Sequence, residues 1–146
     1  MIRRGDVFFS KIGKGVGSEQ HGDRPVVVIQ NDIGNLHSPT TIVAMITSKQ
    51  KSRLPTHVSL HGNNIGLTDE SVVMLEQIRT LDKRRLKERM GHLEDNVMQK
   101  VNNALYVSFG LSPVSQTDTE RDETAEDQPQ TKETAHTEAT ATNNAG

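Results

Sequence analysis

Residues 17–32 read GSEQHGDRPVVVIQND, in which a polar loop punctuated by glycine leads into a short apolar segment. Residues 26–29 are β-branched, follow Pro25 and are too few for a buried helix, so they predict a core strand. Arg24 stands where the loop meets this strand. We therefore expect its guanidinium group at a rigid edge of the sheet rather than on a mobile loop tip.

The two parts of the chain differ in charge. The whole chain of 146 residues has a net charge of −2, but residues 113–146 carry eight acidic and two basic side chains, and residues 1–112 carry a net charge of +4. Residues 113–146 contain no Leu, Ile, Met, Phe, Tyr or Trp, and their eight threonines disfavour a helix. Such a segment cannot bury enough apolar surface to offset its chain entropy. We predict a disordered acidic tail, either free or folded over a basic surface of the domain.

Residues 1–112 are long enough for one small domain with little surplus stability, which a homodimer would increase. The chain has no cysteine, so disulfides and cysteine zinc sites are excluded and a reducing compartment is compatible. Its first residues lack an apolar signal core, and no apolar run approaches the roughly 18 residues of a membrane span. We therefore expect a soluble, cytoplasmic protein with no membrane partner.

Short apolar or alternating segments between turn residues predict about five or six strands. These segments are residues 7–9, 25–30, 40–47, 56–60 and 71–78. Glycines at positions 13, 15 and 17 suit a long hairpin loop, and residues 31–39 contain turn formers or a single helical turn. The pattern predicts a twisted antiparallel sheet that curls toward a barrel.

The end of the domain has the spacing of an amphipathic helix that begins near Glu94 and stops at Gly110. Its apolar stripe comprises Val97, Met98, Val101, Ala104, Leu105 and Phe109. A stripe of this kind normally faces the core, although a partner-binding face is the alternative. The predicted fold class is therefore α+β, a small twisted antiparallel β-barrel followed by a C-terminal helix.

The histidines do not have the spacing of a metal site. His57 and His61 are four residues apart, which on a strand separates them by about 13 Å. The other histidines of the domain have no acidic or histidine neighbour at ligand spacing: His21, His37 and His92. No dinucleotide-binding, Walker or nucleophile-elbow pattern occurs. We predict neither a metal nor a cofactor, and we set P-loop and serine-hydrolase chemistry aside.

Basic side chains cluster in residues 83–89, which read KRRLKER, and again in residues 49–53. Solvated surface is the ordinary role of such runs. The net positive charge of residues 1–112 is equally consistent with a partner that carries phosphate groups. Because Phe8, Phe9 and Phe109 are expected in the core, a bound strand would be read by polar side chains and backbone groups rather than by aromatic stacking.

RNA supplies its own nucleophile, the 2′-hydroxyl, so an enzyme need only orient the phosphodiester, assist proton transfer and stabilise the transition state. Arg24 offers a permanent charge and a planar fork of donors, but it is a poor base. Thr47, at the end of a strand, adds a hydroxyl donor. The alternatives are an ion pair of Arg24 with Glu19, Asp23 or Asp32, and a Thr47 present only for its strand propensity.

The stretch 17–32 resembles the MazF/PemK family of toxin endoribonucleases, in which the pattern G-S-E-Q-x-G-x-R-P-x-x-V-I-Q-N-D carries the catalytic arginine. The likeness continues in order through residues 4–7, 38–40, 46–47, 54–58, 75–83 and 103–105. It covers about residues 1–112. Several separated motifs in the same order are more specific than any one of them.

The resemblance implies the SH3-like barrel shared by MazF and CcdB toxins, working as a homodimer without a cofactor. It implies metal-independent cleavage of single-stranded RNA, with 2′,3′-cyclic phosphate and 5′-hydroxyl ends, and inhibition by a MazE-like antitoxin. Arg24 and Thr47 stand at the family's catalytic positions. The positions that resemble RNA-binding ones are Ser18, Gln20, Asn31, Ser48 and Gln77. The motifs are most similar to those of members that recognise a U-A-C-A-U site.

The chain departs from the family pattern in three places. His21 replaces a glycine, Asp23 adds a carboxylate beside Arg24, and residues 11–16 lack the usual proline. The acidic tail is not a family feature. Two other functions remain open on the sequence alone, a CcdB-like poison that binds gyrase and an RNA-binding barrel without catalysis.

Overall fold

The segments predicted as strands belong to one sheet in the computed structural model, which describes residues 1–49 and 52–112. In chain order the elements are β1 (Asp6–Lys11), β2 (Asp23–Val28), α1 (Asp32–His37), β3 (Thr40–Thr47), β4 (His57–Ser59), β5 (Val72–Asp82), a 3₁₀ turn (Lys83–Arg85), β6 (Leu86–His92) and α2 (Asp95–Phe109). The acidic tail, with its predicted disorder, lies outside the described residues.

The sheet has the strand order β4-β5-β3-β2-β1-β6, and all its pairings are antiparallel. The pairings of β1 with β6 and of β3 with β5 contain register shifts. Such bulges bend a strand and increase its twist. The predicted α+β fold, a twisted barrel-like sheet with a C-terminal helix, is confirmed. Between the described edge strands β4 and β6 the sheet stays open.

Apolar side chains pack on both faces of this sheet because neighbouring residues of a strand point to opposite sides. Val27 and Ala44 belong to the cluster under α2, whereas Val26 and Met45 belong to a second cluster. Ile12, in the loop after β1, is 1% exposed and packs into that second cluster. Burying such a side chain contributes roughly 1.5–3 kcal/mol, so the base of the loop is fixed to the sheet.

Helix α2 closes the first cluster, as its apolar spacing predicts. Its buried residues are Met98, Val101 and Ala104. The helix is capped by Gly110, whose φ of 69° lies in the left-handed region and whose N–H donates to the carbonyl of Tyr106. Glycine suits this position because it carries no Cβ. No helix in the described ranges is long and apolar enough to cross a membrane.

Two phenylalanines expected in the core are instead exposed. Phe8 is buried as predicted, but Phe9 is 39% and Phe109 58% exposed. Phe9 follows Phe8 on β1 and therefore points to the opposite face of the sheet. At that position the side chain is not part of the cluster under α2. Phe109 is the last residue of α2 and lines a shallow surface pocket with Leu111.

The basic run 83–89 contains a strand that its composition did not reveal. β6 begins at Leu86, pairs with β1 and forms an edge of the sheet. Leu86 and Met90 are half-buried, and the charged residues between them are exposed. Charged side chains are common on edge strands because they discourage pairing with another chain.

Candidate active site

Arg24 lies at the start of β2 and is held by backbone carbonyl groups. Its Nε and Nη2 donate to the His21 carbonyl oxygen at 3.0 and 2.8 Å, and its Nη1 donates to the Ile46 carbonyl oxygen at 3.3 Å. Gly22, with a φ of 81°, turns the chain before the strand, and its N–H donates to the Gly13 carbonyl at 2.8 Å. The guanidinium group is therefore fixed where the loop meets the sheet.

The charge of Arg24 has no carboxylate partner within 4 Å in residues 1–49 and 52–112. Glu19 and Asp32, two partners that the sequence suggested, each accept a backbone N–H elsewhere. Asp23, the third, forms no ion pair in the same ranges. Burial lowers the pKa of Arg24, but a guanidinium group stays protonated at any working pH. Its N–H groups not engaged by carbonyls can therefore donate to an anion.

Thr47 is the last residue of β3 and lies level with Arg24. Val26 of β2 pairs with Met45 of β3, and extending this register by two residues on each strand brings Arg24 opposite Thr47. Thr47 is 8% exposed, and its Oγ1 accepts the Lys49 N–H at 3.1 Å. The Thr47 hydroxyl also donates to the Lys49 carbonyl, but the two oxygens are 3.5 Å apart, so this is a weak contact that a ligand can replace.

A bulge in β5 brings Gln77 to the loop before β2. Residues 75–77 have no partner on β3. Gln77 accepts the backbone N–H of Gln20 through its Oε1 at 3.3 Å. The two glutamines line a cleft of about 380 Å³ with Lys14, Glu19, Glu76, Ile78 and Arg79. Bulges beside active sites often reorient a side chain in this way.

The other three predicted RNA-binding residues lie in different places. Ser48 is exposed directly after β3, and Ser18 is exposed on the same loop as Gln20. Asn31 follows the far end of β2, so more than about 13 Å of strand separates it from Arg24 at about 3.3 Å per residue. There its Oδ1 accepts the Gly34 N–H at 2.7 Å and caps α1.

Five of the predicted side chains thus lie around one junction of loop and sheet. We call them the strand-end site: Gln20, Arg24, Thr47, Ser48 and Gln77. The site offers a fixed cation, two hydroxyl groups and two amides. This combination can bind and polarise a phosphodiester.

Glu76 makes a contact beside this site that sequence reasoning missed. Its carboxylate accepts the Thr56 hydroxyl at 2.7 Å and contacts His57 Nε2 at 2.9 Å. The Leu54 N–H donates to His57 Nδ1 at 3.2 Å, so Nε2 carries the proton and donates to Glu76. Burial tends to raise the pKa of Glu76, but the hydrogen bonds from Thr56 and His57 outweigh it and the pKa is lowered.

The spacing of His57 and Glu76 in the sequence gives little sign of this pair. β4 and β5 are neighbours in the sheet, and His57 pairs with Met74 across them. Glu76 lies two residues beyond Met74 on β5, so it is a diagonal neighbour of His57 across the strand pair. The contact therefore depends on the pairing of β4 with β5, which the sequence separation of the two residues does not reveal.

A second carboxylate, Asp6, is buried away from the strand-end site. Its Oδ1 contacts Arg89 Nη2 at 3.1 Å and His92 Nδ1 at 2.8 Å, and its Oδ2 accepts the Arg3 N–H at 2.9 Å. Burial tends to raise the pKa of Asp6, but the hydrogen bonds from His92, Arg3 and Arg89 lower it overall. We call Asp6, Arg89 and His92 the Asp6 cluster. Neither it nor any other part of residues 1–49 and 52–112 groups three or more potential metal ligands.

Comparison with known proteins places this geometry in a family. Residues 3–109 match the model of the PemK-like, MazF-like toxins of type II toxin-antitoxin systems. This chain belongs to the PemK/MazF-like toxin family. It is 54% identical over 112 residues to the endoribonuclease EndoA of Bacillus subtilis, and the aligned region covers 76% of this chain and 97% of that protein. It is 52% identical over 115 residues to the endoribonuclease MazF of Staphylococcus saprophyticus, covering 78% of this chain and 96% of that protein.

Solved PemK/MazF-like structures share the fold described above. An endoribonuclease from a mycobacterial species, in complex with its cognate antitoxin, superimposes with a TM-score of 0.65 and is 26% identical. That comparison covers 77% of this chain and 99% of the other. MazF from Deinococcus radiodurans gives a TM-score of 0.65 at 25% identity, over 75% of this chain and 96% of that one. The identified resemblance to this family is confirmed.

Proposed function

We propose that this chain is the toxin of a type II toxin-antitoxin system and acts as a sequence-specific endoribonuclease on single-stranded RNA. The observation that carries the proposal is Arg24, a cation fixed by backbone carbonyls and without a carboxylate partner in the described ranges, at the strand end where the register of β2 and β3 extends to Thr47. Two curated relatives above 50% identity are endoribonucleases. Family membership and local chemistry therefore favour the same activity.

In the proposed reaction the 2′-hydroxyl of the RNA attacks the adjacent phosphorus. A bond forms between phosphorus and the 2′-oxygen, and the bond to the 5′-oxygen breaks, which leaves a 2′,3′-cyclic phosphate and a 5′-hydroxyl. The 2′-hydroxyl gives up its proton to a base, and the departing 5′-oxygen takes one up. Arg24 stabilises the charge that develops on the phosphoryl oxygens, and the Thr47 hydroxyl donates to the same group.

The polar side chains around these two residues would bind the substrate. Gln20 and Gln77 present amides in the cleft, and Ser48 adds an exposed hydroxyl beside Thr47. Amide and hydroxyl groups can hydrogen-bond to the edges of unstacked bases, which is how single-stranded RNA is read. Ser18 and Asn31 are proposed as outer contacts. A U-A-C-A-U site is the recognition sequence we expect from the motifs.

We further propose a MazE-like antitoxin, a homodimer and a cytoplasmic location. The mycobacterial relative was solved with its cognate antitoxin. The end of α2 supports a second copy, because Val107, Phe109 and Leu111 are each more than half exposed. Exposed apolar groups of this kind mark contact surfaces when they are contiguous.

The test is to incubate the protein with a pool of single-stranded transcripts in EDTA and to map the ends of the products. We expect cuts at one short sequence, with cyclic phosphate on one side and a 5′-hydroxyl on the other. RNA retained without cutting would indicate a binding module, and no interaction with the RNA would favour a CcdB-like poison. Either result contradicts the endoribonuclease proposal.

A further inference from the structure

A second group of basic side chains lies at the base of the loop that carries Gln20. We call it the basic patch: Lys11, Arg84, Arg85 and Lys87, which with Asp82 line a cleft of about 370 Å³. The four cations are all exposed. β1 ends at Lys11, which pairs with Asp23, the neighbour of Arg24. Along the backbone of β2, the patch therefore begins one residue from Arg24.

Most of the positive charge of the basic patch is unneutralised. Asp82 forms an ion pair with Arg84, in which Arg84 Nε lies 2.9 Å from Asp82 Oδ1. The hydrogen bonds that the side chain and the backbone N–H of Arg84 donate lower the pKa of Asp82 to about 2. Lys11, Arg85 and Lys87 form no ion pair within the described ranges. One carboxylate thus serves one of four cations, and the other three face solvent.

Two guanidinium groups meet at the carbonyl of Ile12. Arg85 Nη1 donates to the Ile12 carbonyl at 3.4 Å and also to the Lys11 carbonyl at 3.3 Å. Arg79 Nη1 donates to the same Ile12 carbonyl at 3.2 Å. Ile12 is buried in the second core cluster, so this carbonyl is fixed. Two like charges held on one oxygen repel each other, and an anion lying over both would lower their energy.

Arg79 also joins the basic patch to the strand-end site. It lines the same cleft as Gln20, Gln77 and Lys14. A continuous surface therefore runs from the two glutamines, past Arg79 and the Ile12 carbonyl, to Arg85. The two carboxylates that line the cleft of the glutamines already accept hydrogen bonds, Glu19 from a backbone N–H and Glu76 from Thr56 and His57.

We propose that the basic patch binds the phosphodiester backbone of the RNA on one side of the cut site. The RNA would leave the strand-end site beside Gln77, pass Arg79 and lie over Lys11, Arg85 and Lys87. The inference rests on the proposed function and assigns the path of the strand outside the recognition sequence. Contacts to phosphates alone carry no sequence information, so the patch adds affinity rather than specificity.

The test compares a short and a long RNA that share the mapped cut site. Each carries a 2′-deoxynucleotide at the cut position, so that the full-length protein binds without cleaving. The Kd of each is measured over a range of KCl concentrations for the wild type and for the double variant Lys11→Gln/Lys87→Gln. Neither lysine side chain makes a described hydrogen bond, so the variant should fold normally.

For the long RNA, we expect the double variant to lower the slope of log Kd against log salt by about 1.4, since each phosphate contact to a single strand contributes about 0.7. Affinity at low salt should fall several-fold. The short RNA should bind both proteins alike. The control Arg3→Gln/Lys100→Gln removes the same charge from exposed side chains elsewhere and should leave the slope of both RNAs unchanged.

An unchanged slope for the long RNA in Lys11→Gln/Lys87→Gln overturns the path. So does an equal loss in the control, because general charge would then explain the effect. If the variant loses affinity only for an acidic polypeptide, such as a synthetic peptide of residues 113–146, the patch serves a protein ligand and the RNA assignment is wrong. A wild type that neither binds nor cuts RNA refutes the proposed function itself, which is a distinguishable result.

Discussion

The Asp6 cluster and the strand-end site each hold an arginine of the same sheet, in opposite electrostatic surroundings. Arg89 lies 3.1 Å from the carboxylate of Asp6, which is 1% exposed and also contacts His92. Arg24 is bound by the carbonyls of His21 and Ile46 and has no ion-pair partner in the described ranges. Both arginines are positioned firmly, but only Arg89 is neutralised.

The difference separates charges that hold the fold from charges that await a ligand. A buried carboxylate is stable only if its partners remain, so the Asp6 cluster is a structural unit. Carbonyl groups orient the guanidinium of Arg24 without cancelling its charge, and partial burial strengthens its attraction for an anion. Substitutions at the two places should therefore affect different measurements.

The largest effect is expected from Arg24→Ala in RNA cleavage. Loss of a preorganised donor to a developing negative charge lowers rates by about 10²–10³-fold. Stability should change less than the rate, because Arg24 donates only to the carbonyls of His21 and Ile46 and forms no ion pair in the described ranges. Single-turnover cleavage and urea unfolding of the same preparation measure both quantities.

Arg24→Lys is the matched variant, because it keeps the charge and loses the planar fork. It should remain close to Arg24→Ala in rate, since an ammonium group cannot reproduce two parallel hydrogen bonds to phosphate. Cleavage near the wild-type rate by either variant would show that Arg24 is not catalytic.

Asp6→Asn should give the opposite pattern, a loss of stability with cleavage retained in the folded fraction. The amide keeps the shape but leaves Arg89 without its counter-charge. We expect a loss of about 2–3 kcal/mol in the free energy of unfolding, at the lower end for buried pairs because Arg89 and His92 are partly exposed. Glu88→Gln, an exposed neighbour of Arg89, is the control and should change stability by less than about 0.5 kcal/mol. Equal stabilities of Asp6→Asn and this control would refute the distinction.

Much of the fold follows from local sequence patterns. β-branched runs between turn residues predicted β2, β3 and the start of β5, and helical spacing predicted α2. β6 was missed because Lys87, Glu88 and Arg89 give its sequence a solvated character. Its strand conformation depends on pairing with β1, which is a long-range interaction that local patterns do not contain.

The part of the site that could be predicted from the sequence is the part that stands at the ends of predicted strands. Arg24 and Thr47 each border an apolar run, so antiparallel pairing brings them level. The Gln20–Gln77 contact depends on the bulge at residues 75–77, whose position no residue pattern in β5 signals. The environment of Asp6 was equally hidden, because His92 reaches it from a strand that was not predicted.

The Thr47 hydroxyl provides a smaller test of the strand-end site. Thr47→Val keeps the branched shape in a nearly buried position and removes the hydroxyl. We expect cleavage to fall by roughly tenfold or more, because a hydrogen bond to a charged group contributes roughly 1.5–3 kcal/mol. Thr47→Ser restores the hydroxyl and should recover most of the rate. If valine and serine cleave equally well, Thr47 serves only the strand.

Glu76 sharpens the comparison because it is a paired charge that lies beside the strand-end site. If the ion pair with His57 makes Glu76 a structural residue, Glu76→Gln should lower stability as Asp6→Asn does, but by less. We expect a loss of about 1 kcal/mol in the free energy of unfolding at neutral pH, the usual contribution of a hydrogen bond. Cleavage at saturating RNA should change less than in Thr47→Val. The matched variant His57→Asn removes the partner instead of the carboxylate.

The pH dependence of this small effect identifies its origin. Hydrogen bonds from Thr56 and His57 hold the pKa of Glu76 below its ordinary value of 4.5 in the folded protein. A carboxyl group with a depressed folded pKa stabilises the fold above its unfolded pKa and loses that contribution as the pH falls through its folded pKa. The stability difference between wild type and Glu76→Gln, measured by urea unfolding, should thus be constant above about pH 5 and shrink at lower pH. A difference that stays constant to pH 3 would mean that the ionised carboxylate contributes nothing to the fold, and that Glu76 acts through its position in the bulge alone.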